Sequence, residues 1–128
     1  MRVLVSGSSG FVGTHLVTEL IKRGHEVLSI IRNEKSGRDE LLNHKSAILD
    51  VLDKDAIDNV FEKFKPEGIL HLAAQTSVKR SWENPEHTIM VNVFGTLNLI
   101  NAMKKFTPNA KMINIGSSEE YGLTGKSG

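Results

Sequence analysis

A glycine-rich turn near the amino terminus constrains the fold more than any other feature of the chain. Glycines 7, 10 and 13 stand between a short apolar run and a stretch of helical period, in the spacing G-x-x-G-x-x-G. A strand-to-helix turn without bulky side chains lets backbone N–H groups and the positive end of a helix dipole approach an anion. We therefore predict a diphosphate-binding turn here. The alternative is a turn that only packs a helix tightly on a sheet.

The apolar pattern along the chain alternates between short β-branched runs and longer helical stretches. Such alternation predicts an α/β fold built from βαβ units, a doubly wound, Rossmann-like parallel sheet of about five strands with flanking helices. We expect one domain, 1–128, with a helix capped by Asp53 and ended by Pro66, and with Asn84-Pro85 opening a long helix. The strands are predicted at 2–6, 27–31, 46–50, 69–74 and 111–115, and the other helices at 11–23 and 85–105.

Composition excludes several classes of function. The 16 basic and 15 acidic residues give a net charge of +1, so we expect neither a nucleic-acid nor a membrane partner. The chain has no cysteine and no cluster with the spacing of metal ligands, so no thiolate chemistry and no metal site are expected. The first residues lack the apolar length of a signal peptide or a membrane span, which predicts a cytoplasmic protein.

The ends of the second and third strands bear on cofactor choice. An acid after the second strand would accept from a ribose 2′-hydroxyl, whereas Arg32 can pair with a 2′-phosphate. The sequence therefore favours NADP(H), with NAD(H) as the alternative and a solvated surface arginine as the plain interpretation. Asp50 could accept from an adenine amino group or could cap the following turn.

Three further residues have structural interpretations. His71, at the end of the fourth strand, is predicted to be a hydrogen-bonded core histidine rather than a catalyst. Asn92 lies among apolar residues of the long helix and is expected to tie that helix to a strand. Trp82 is predicted to anchor the loop before the helix, with a wall of a substrate cleft as the alternative.

The segments SGSSGFVG, HLAAQTSVKRSWENP, VNVFGT and IGSSEEYG together resemble the extended short-chain dehydrogenase/reductase (NAD-dependent epimerase/dehydratase) family, over essentially the whole chain. Within that family the chain is most similar to the nucleotide-sugar branch, in particular to GDP-4-keto-6-deoxy-D-mannose reductases and GDP-mannose 4,6-dehydratases. Sugar 4-epimerases are the next most similar.

The resemblance implies a role for each matching residue. Cofactor contacts are expected along the glycine turn, after the second and third strands and at the end of the fourth, substrate contact at one serine, and catalysis at a serine and a glutamate. The implied cofactor residues are Gly7, Ser9, Gly10, Phe11, Val12, Arg32, Asn33, Asp50, Val51, Leu72, Ala73, Ala74 and Gln75, the substrate residue is Ser77, and the catalytic residues are Ser117 and Glu119.

The implied activity is NADP(H)-dependent reduction of a 4-keto-6-deoxyhexose carried by a nucleotide, with 4,6-dehydration or 4-epimerisation as alternatives. A non-catalytic NADP(H) sensor is the alternative from another class. The family's Tyr-x-x-x-Lys pair is missing, because Gly125 stands where the lysine would follow Tyr121. We therefore expect the N-terminal part of a longer enzyme that lacks the C-terminal substrate region, is inactive alone, and is a homodimer at full length through the helix at 85–105.

Overall fold

The computed structural model describes residues 1–33 and 44–117. In this part of the chain five parallel strands form one sheet, as predicted. The strands are β1 (Arg2–Ser6), β2 (Glu26–Ile31), β3 (Lys45–Ile48), β4 (Gly68–His71) and β5 (Lys111–Asn114). Their order in the sheet is β3-β2-β1-β4-β5, because the chain winds outward from β1 to β3 on one side and then crosses to the other side for β4 and β5.

Helices cover both faces of this sheet and bury two apolar clusters. The helices are α1 (Phe11–Lys22), α2 (Lys54–Phe64), α3 (Val78–Glu83), α4 (Pro85–Ile89), a π-helical segment (Met90–Phe94) and α5 (Gly95–Phe106). Neighbouring strand residues point to opposite faces, so Leu4 packs under α2 and α5 while Val3 and Val5 pack under α1. None of the helices in the described ranges is long and apolar enough to cross a membrane.

The two predicted helix N-caps are confirmed. The Asp53 carboxylate accepts from the Ala56 N–H at 3.0 Å and caps α2. Asn84 caps α4, and Pro85 occupies its first turn, where a missing N–H costs no hydrogen bond. Gly24 ends the first βα unit with φ of +80°, a conformation that suits glycine.

Two strands differ from the prediction by more than one residue at an end. The sequence predicts that β4 continues to Ala74, but the strand ends at His71. The Leu72 N–H still donates to the Ser6 carbonyl at 3.0 Å, after which the backbone leaves the sheet and passes against Gly7. The third strand lies at 45–48 rather than 46–50.

The stretch before the long helix contains α3, where the sequence predicts a loop. Trp82 lies on this helix with 83% of its surface exposed, so the prediction that it anchors the segment is wrong. The long helix itself is interrupted by the π-helical segment at 90–94, which the sequence analysis does not predict either. Backbone angles stay helical through both junctions, at Met90 and at Gly95, so the axis continues.

Candidate functional site

The chain reverses its winding direction between β1 and β4, and a cleft of about 600 Å³ opens beyond the carboxyl ends of these strands. Open α/β sheets bind ligands at such a switch point because the loops on either side diverge. The walls are the glycine turn, the ends of β2 and β3, the segment after β4, and one side of α3 and α4. Predicted cofactor residues in the lining are Gly7, Ser9, Gly10, Phe11, Val12, Arg32, Asp50, Val51, Leu72, Ala73, Ala74 and Gln75.

The glycine turn and the segment after β4 are in direct backbone contact. Gly7 has φ of +71°, and its carbonyl accepts from the Gly10 N–H at 3.1 Å. A Cβ at Gly7 would lie 2.6 Å from the Ala73 nitrogen, and a Cβ at Gly13 would collide with the Gly7 carbonyl oxygen. The turn therefore requires glycine for conformation and for space.

The amino terminus of α1 is arranged to accept an anion. Gly10 is the N-cap and supplies no side-chain acceptor, and the first turn contains no acidic residue. The Thr14 hydroxyl donates to the Gly10 carbonyl at 2.9 Å, and this hydrogen bond stabilises the end of the turn. Free N–H groups at the positive end of a helix dipole favour a phosphate or diphosphate.

The ends of β2 and β3 form the opposite wall. Arg32 follows β2 directly and is exposed to the cleft. The Asp50 carboxylate accepts from the Leu52 N–H at 3.0 Å, so the turn-capping interpretation of Asp50 holds for that oxygen. Val51 is 5% exposed and is held by Asn98, whose side-chain amide donates to the Val51 carbonyl at 2.9 Å. Asn33 is exposed and lies outside the lining.

The segment after β4 is held by Asn92 from the π-helical segment. The Gln75 N–H donates to the Asn92 side-chain oxygen at 2.7 Å, and the Asn92 amide nitrogen donates to the Gln75 carbonyl at 3.2 Å. Asn92 thus ties the long helix to the chain, as predicted, but its partner is Gln75 in the segment after β4 rather than a strand residue.

His71 is a core residue, as predicted. Only 3% of its surface is exposed, and both ring nitrogens have partners. The Ser6 hydroxyl lies 2.5 Å from Nδ1 and the Thr96 hydroxyl lies 3.0 Å from Nε2. Burial lowers the pKa of the His71 imidazole, because the charged form loses hydration.

The predicted substrate residue Ser77 and the predicted catalytic residue Ser117 do not line the cleft. Ser77 is exposed and caps α3, where its hydroxyl accepts from the Arg80 N–H at 3.4 Å. Ser117 is exposed, lies three residues after the end of β5 and is outside the cleft lining. Glu119 lies outside the described residues, as does Tyr121.

Sequence reasoning missed the residues that close the mouth of the cleft. Two of them lie on α3, which was predicted to be a loop, and the others lie at the N-cap of α4, on α4 and in the first turn of the π-helical segment. The one available signal was Ser77 three residues before Arg80, the spacing of an N-cap. The missed residues are Arg80, Glu83, Asn84, His87 and Val91. Within 1–33 and 44–117 no group of His, Cys, Asp or Glu side chains could hold a metal ion.

Comparisons with known proteins agree with this geometry. A sequence model of the family described as GDP-mannose 4,6 dehydratase matches residues 4–128. The UDP-glucose 4-epimerase of Mycolicibacterium smegmatis is 40% identical over 81% of this chain and 35% of its own length. The crystal structure of the Thermus thermophilus UDP-glucose 4-epimerase with NAD is 37% identical, with a TM-score of 0.77, over 83% of this chain and 34% of that one.

A further crystal structure, the UDP-glucose 4-epimerase of Brucella ovis in complex with NAD, superposes with a TM-score of 0.85 at 27% identity. It covers 98% of this chain and 38% of its own chain. The chain therefore spans between about a third and two fifths of the length of these relatives.

Proposed function

The chain belongs to the NAD-dependent epimerase/dehydratase family of short-chain dehydrogenases/reductases, and on this premise we propose that it forms the dinucleotide-binding part of a nucleotide-sugar-modifying oxidoreductase. One observation carries the proposal. The backbone of Ala73 lies against Gly7, and the first residues of α1 line the same cleft as Arg32 and Asp50. A cleft of about 600 Å³ also lies within the usual size range of cofactor pockets.

Each wall of the cleft has a distinct task in this proposal. The glycine turn, with Ser9 and the first residues of α1, binds the diphosphate. Arg32, with Asn33 beside it, binds the adenosine 2′-phosphate, so NADP(H) is preferred over NAD(H). Asp50 and Val51 border the adenine, with the second carboxylate oxygen of Asp50 as the acceptor.

The residues after β4 form the wall beside the nicotinamide. Leu72, Ala73 and Ala74 are small or apolar, so they allow a flat ring to lie close and keep water away from it. A bound nicotinamide supplies hydride transfer to or from a sugar carbon. In the proposed site Ser117 hydrogen-bonds the oxygen on that carbon, while Glu119 and Ser77 position the sugar.

Within this class we propose reduction of a 4-keto-6-deoxyhexose linked to GDP as the activity of the whole enzyme. This choice rests on the segments quoted above and on Arg32 in place of an acid after β2. Dehydration and 4-epimerisation are the alternatives, and the relatives carry those names. All three use the same dinucleotide cleft, so the cofactor experiment below tests what they have in common.

The test is titration of the chain with NADPH and with NADH, in which binding is monitored by intrinsic fluorescence or calorimetry. We expect saturable binding of both and tighter binding of NADPH. Arg32→Asp should weaken NADPH binding about tenfold to a hundredfold, since a charge-assisted hydrogen bond contributes about 1.5–3 kcal/mol. The same substitution should leave NADH binding unchanged or improve it.

Arg23→Asp is the matched control. Arg23 is exposed at the far end of α1, where it pairs with Glu19 at 2.7 Å. The Arg23→Asp substitution makes the same change of charge away from the cleft and should leave the affinities for NADPH and NADH unchanged. Equal losses for both cofactors in Arg32→Asp would exclude recognition of the 2′-phosphate. A folded wild-type chain that binds neither dinucleotide would overturn the proposed function.

A further inference from the structure

A continuous chain of side-chain hydrogen bonds runs below the floor of the cleft, from β1 through β4 to α5. Ser6 and His71 are register partners on adjacent strands, and the Ser6 hydroxyl lies 2.5 Å from His71 Nδ1. On the other side of the ring, His71 Nε2 lies 3.0 Å from the Thr96 hydroxyl. The Thr96 hydroxyl donates in turn to the Asn92 carbonyl at 2.8 Å.

The direction of this chain follows from counting protons. The single hydroxyl proton of Thr96 is used on the Asn92 carbonyl, so Thr96 can only accept from His71. His71 Nε2 must therefore carry the ring proton. In a neutral imidazole Nδ1 is then the acceptor, and the Ser6 hydroxyl donates to it. Burial disfavours the charged ring, which agrees with the neutral form.

Both ends of the chain connect to walls of the cleft. Ser6 immediately precedes Gly7, the first residue of the glycine turn. Asn92 contributes its carbonyl to the chain and its side-chain amide to the backbone of Gln75. The segment between His71 and Gln75 is the one whose backbone contacts Gly7.

We propose that His71 is a positioning residue whose Nε2–H tautomer orients Thr96 and Asn92, and so fixes the segment 72–75 against the glycine turn. The inference deepens the proposed function, because this segment is the wall assigned to the nicotinamide. The position of the wall is nevertheless a property of the polypeptide alone, so it can be measured without any ligand. A histidine that merely fills buried space would have no required tautomer and no dependence on the Thr96 hydroxyl.

The first measurement is nitrogen NMR of the His71 ring in the wild-type chain. A protonated ring nitrogen and an unprotonated one have well-separated resonances, so the tautomer is read directly. We expect Nε2 to be protonated and Nδ1 to be unprotonated at neutral pH. The Nδ1–H tautomer, or a mixture of the two, would overturn the inference even if no variant could be produced.

The second measurement compares Thr96→Val with Thr96→Ser. Valine keeps the shape of threonine but removes the hydroxyl, whereas serine keeps the hydroxyl and loses a methyl group. We expect amide exchange at Gln75 to rise about tenfold in the valine variant, matching the loss of one hydrogen bond of about 1.4 kcal/mol. The His71 ring resonances should shift with it, and the serine variant should restore both signals.

Binding of NADPH by the same variants separates the two proposals. If wild type shows the expected tautomer and Thr96→Val changes Gln75, but no dinucleotide binds, the positioning role stands and the proposed function fails. If NADPH binds wild type, Thr96→Val and Thr96→Ser equally, and Gln75 exchange is the same in all three, the positioning role fails and the proposed function stands.

Discussion

Two glycines with similar positive φ angles have very different surroundings. Gly7 and Gly24 have φ of +71° and +80°, a region that costs other residues about 1–2 kcal/mol. A Cβ at Gly24 would meet nothing within 4 Å, whereas a Cβ at Gly7 would meet backbone atoms of Leu72 and Ala73 below 3 Å. Conformational strain and steric contact can therefore be measured separately in this chain.

Gly7→Ala should both destabilise the fold and displace a wall of the cleft, because all three contacting atoms belong to the backbone and none to a side chain that can rotate away. We expect a loss in the free energy of unfolding clearly above the roughly 1–2 kcal/mol of strain, together with at least tenfold weaker NADPH binding. Gly24→Ala should show the strain alone with unchanged affinity. Urea denaturation and NADPH titration of both variants check this. Equal stabilities and affinities in the two variants would mean that the backbone at Ala73 can move away from residue 7 at little cost in free energy.

The residues of the glycine turn could be predicted from sequence because anion binding at a helix start has strict local requirements. The left-handed Gly24 and the caps Asp53 and Asn84 were predictable for the same reason, since each depends on residues within a few positions. The contact of Gly7 with Ala73 joins residues far apart in the chain. No local pattern encodes it, and it becomes visible only when β1 and β4 are paired.

At the level of elements, the sequence predicts each of the five described strands and the three main helical stretches but not α3 or the π-helical segment. α3 has six residues and none of them is buried, so it shows no apolar periodicity to detect. The π-helical segment keeps the apolar pattern of the helical residues on either side of it, so the pattern does not reveal it. In the structure the segment is marked by the Asn92 side chain, whose oxygen accepts from the Gln75 N–H. Residues of the cleft mouth were missed because they lie on or beside these two elements.

The long helix from α4 to α5 presents an apolar stripe to solvent. Its large side chains are between 42% and 55% exposed, and they are Ile89, Met90, Val93, Phe94 and Leu97. A homodimer through this helix is predicted for the full-length protein, and we extend that prediction to the 128-residue chain. The wild-type chain should therefore self-associate with rising concentration in sedimentation velocity, and Val93→Lys should shift it toward monomer because a charge would be buried.

Ile21→Lys is the control for this prediction. Ile21 is 44% exposed on α1, on the opposite face of the sheet, so it matches Val93 in exposure and in the charge introduced. It should leave the sedimentation profile unchanged. A wild-type chain that remains monomeric at every concentration would contradict the predicted dimer. Equal effects of Val93→Lys and Ile21→Lys would mean that association depends on general hydrophobicity and not on the long helix.

For the whole molecule, the titrating groups predict a two-step loss of stability as pH falls. Burial lowers the pKa of His71 and of His44 below the ordinary histidine value of 6.5. Below that pH these histidines bind more protons in the unfolded chain than in the folded chain, so the free energy of unfolding falls.

The glutamates affect the free energy of unfolding at lower pH. Their pKa values are lowered below 4.5, by Arg23 at Glu19, by Lys45 at Glu26 and by the Arg2 N–H at Glu67, so their stabilisation is lost only in more acidic solution.

The window from about pH 6.5 to about pH 5 should therefore be dominated by histidine, and His71 is the more buried of the two. One such group changes the free energy of unfolding by at most about 1.4 kcal/mol per pH unit. Urea denaturation across this window should give a slope that His71→Gln reduces, whatever that substitution does to stability at neutral pH. An unchanged slope in His71→Gln would show that the folded chain accepts a proton at His71, which is incompatible with the one-directional hydrogen-bond chain from Ser6 to Thr96.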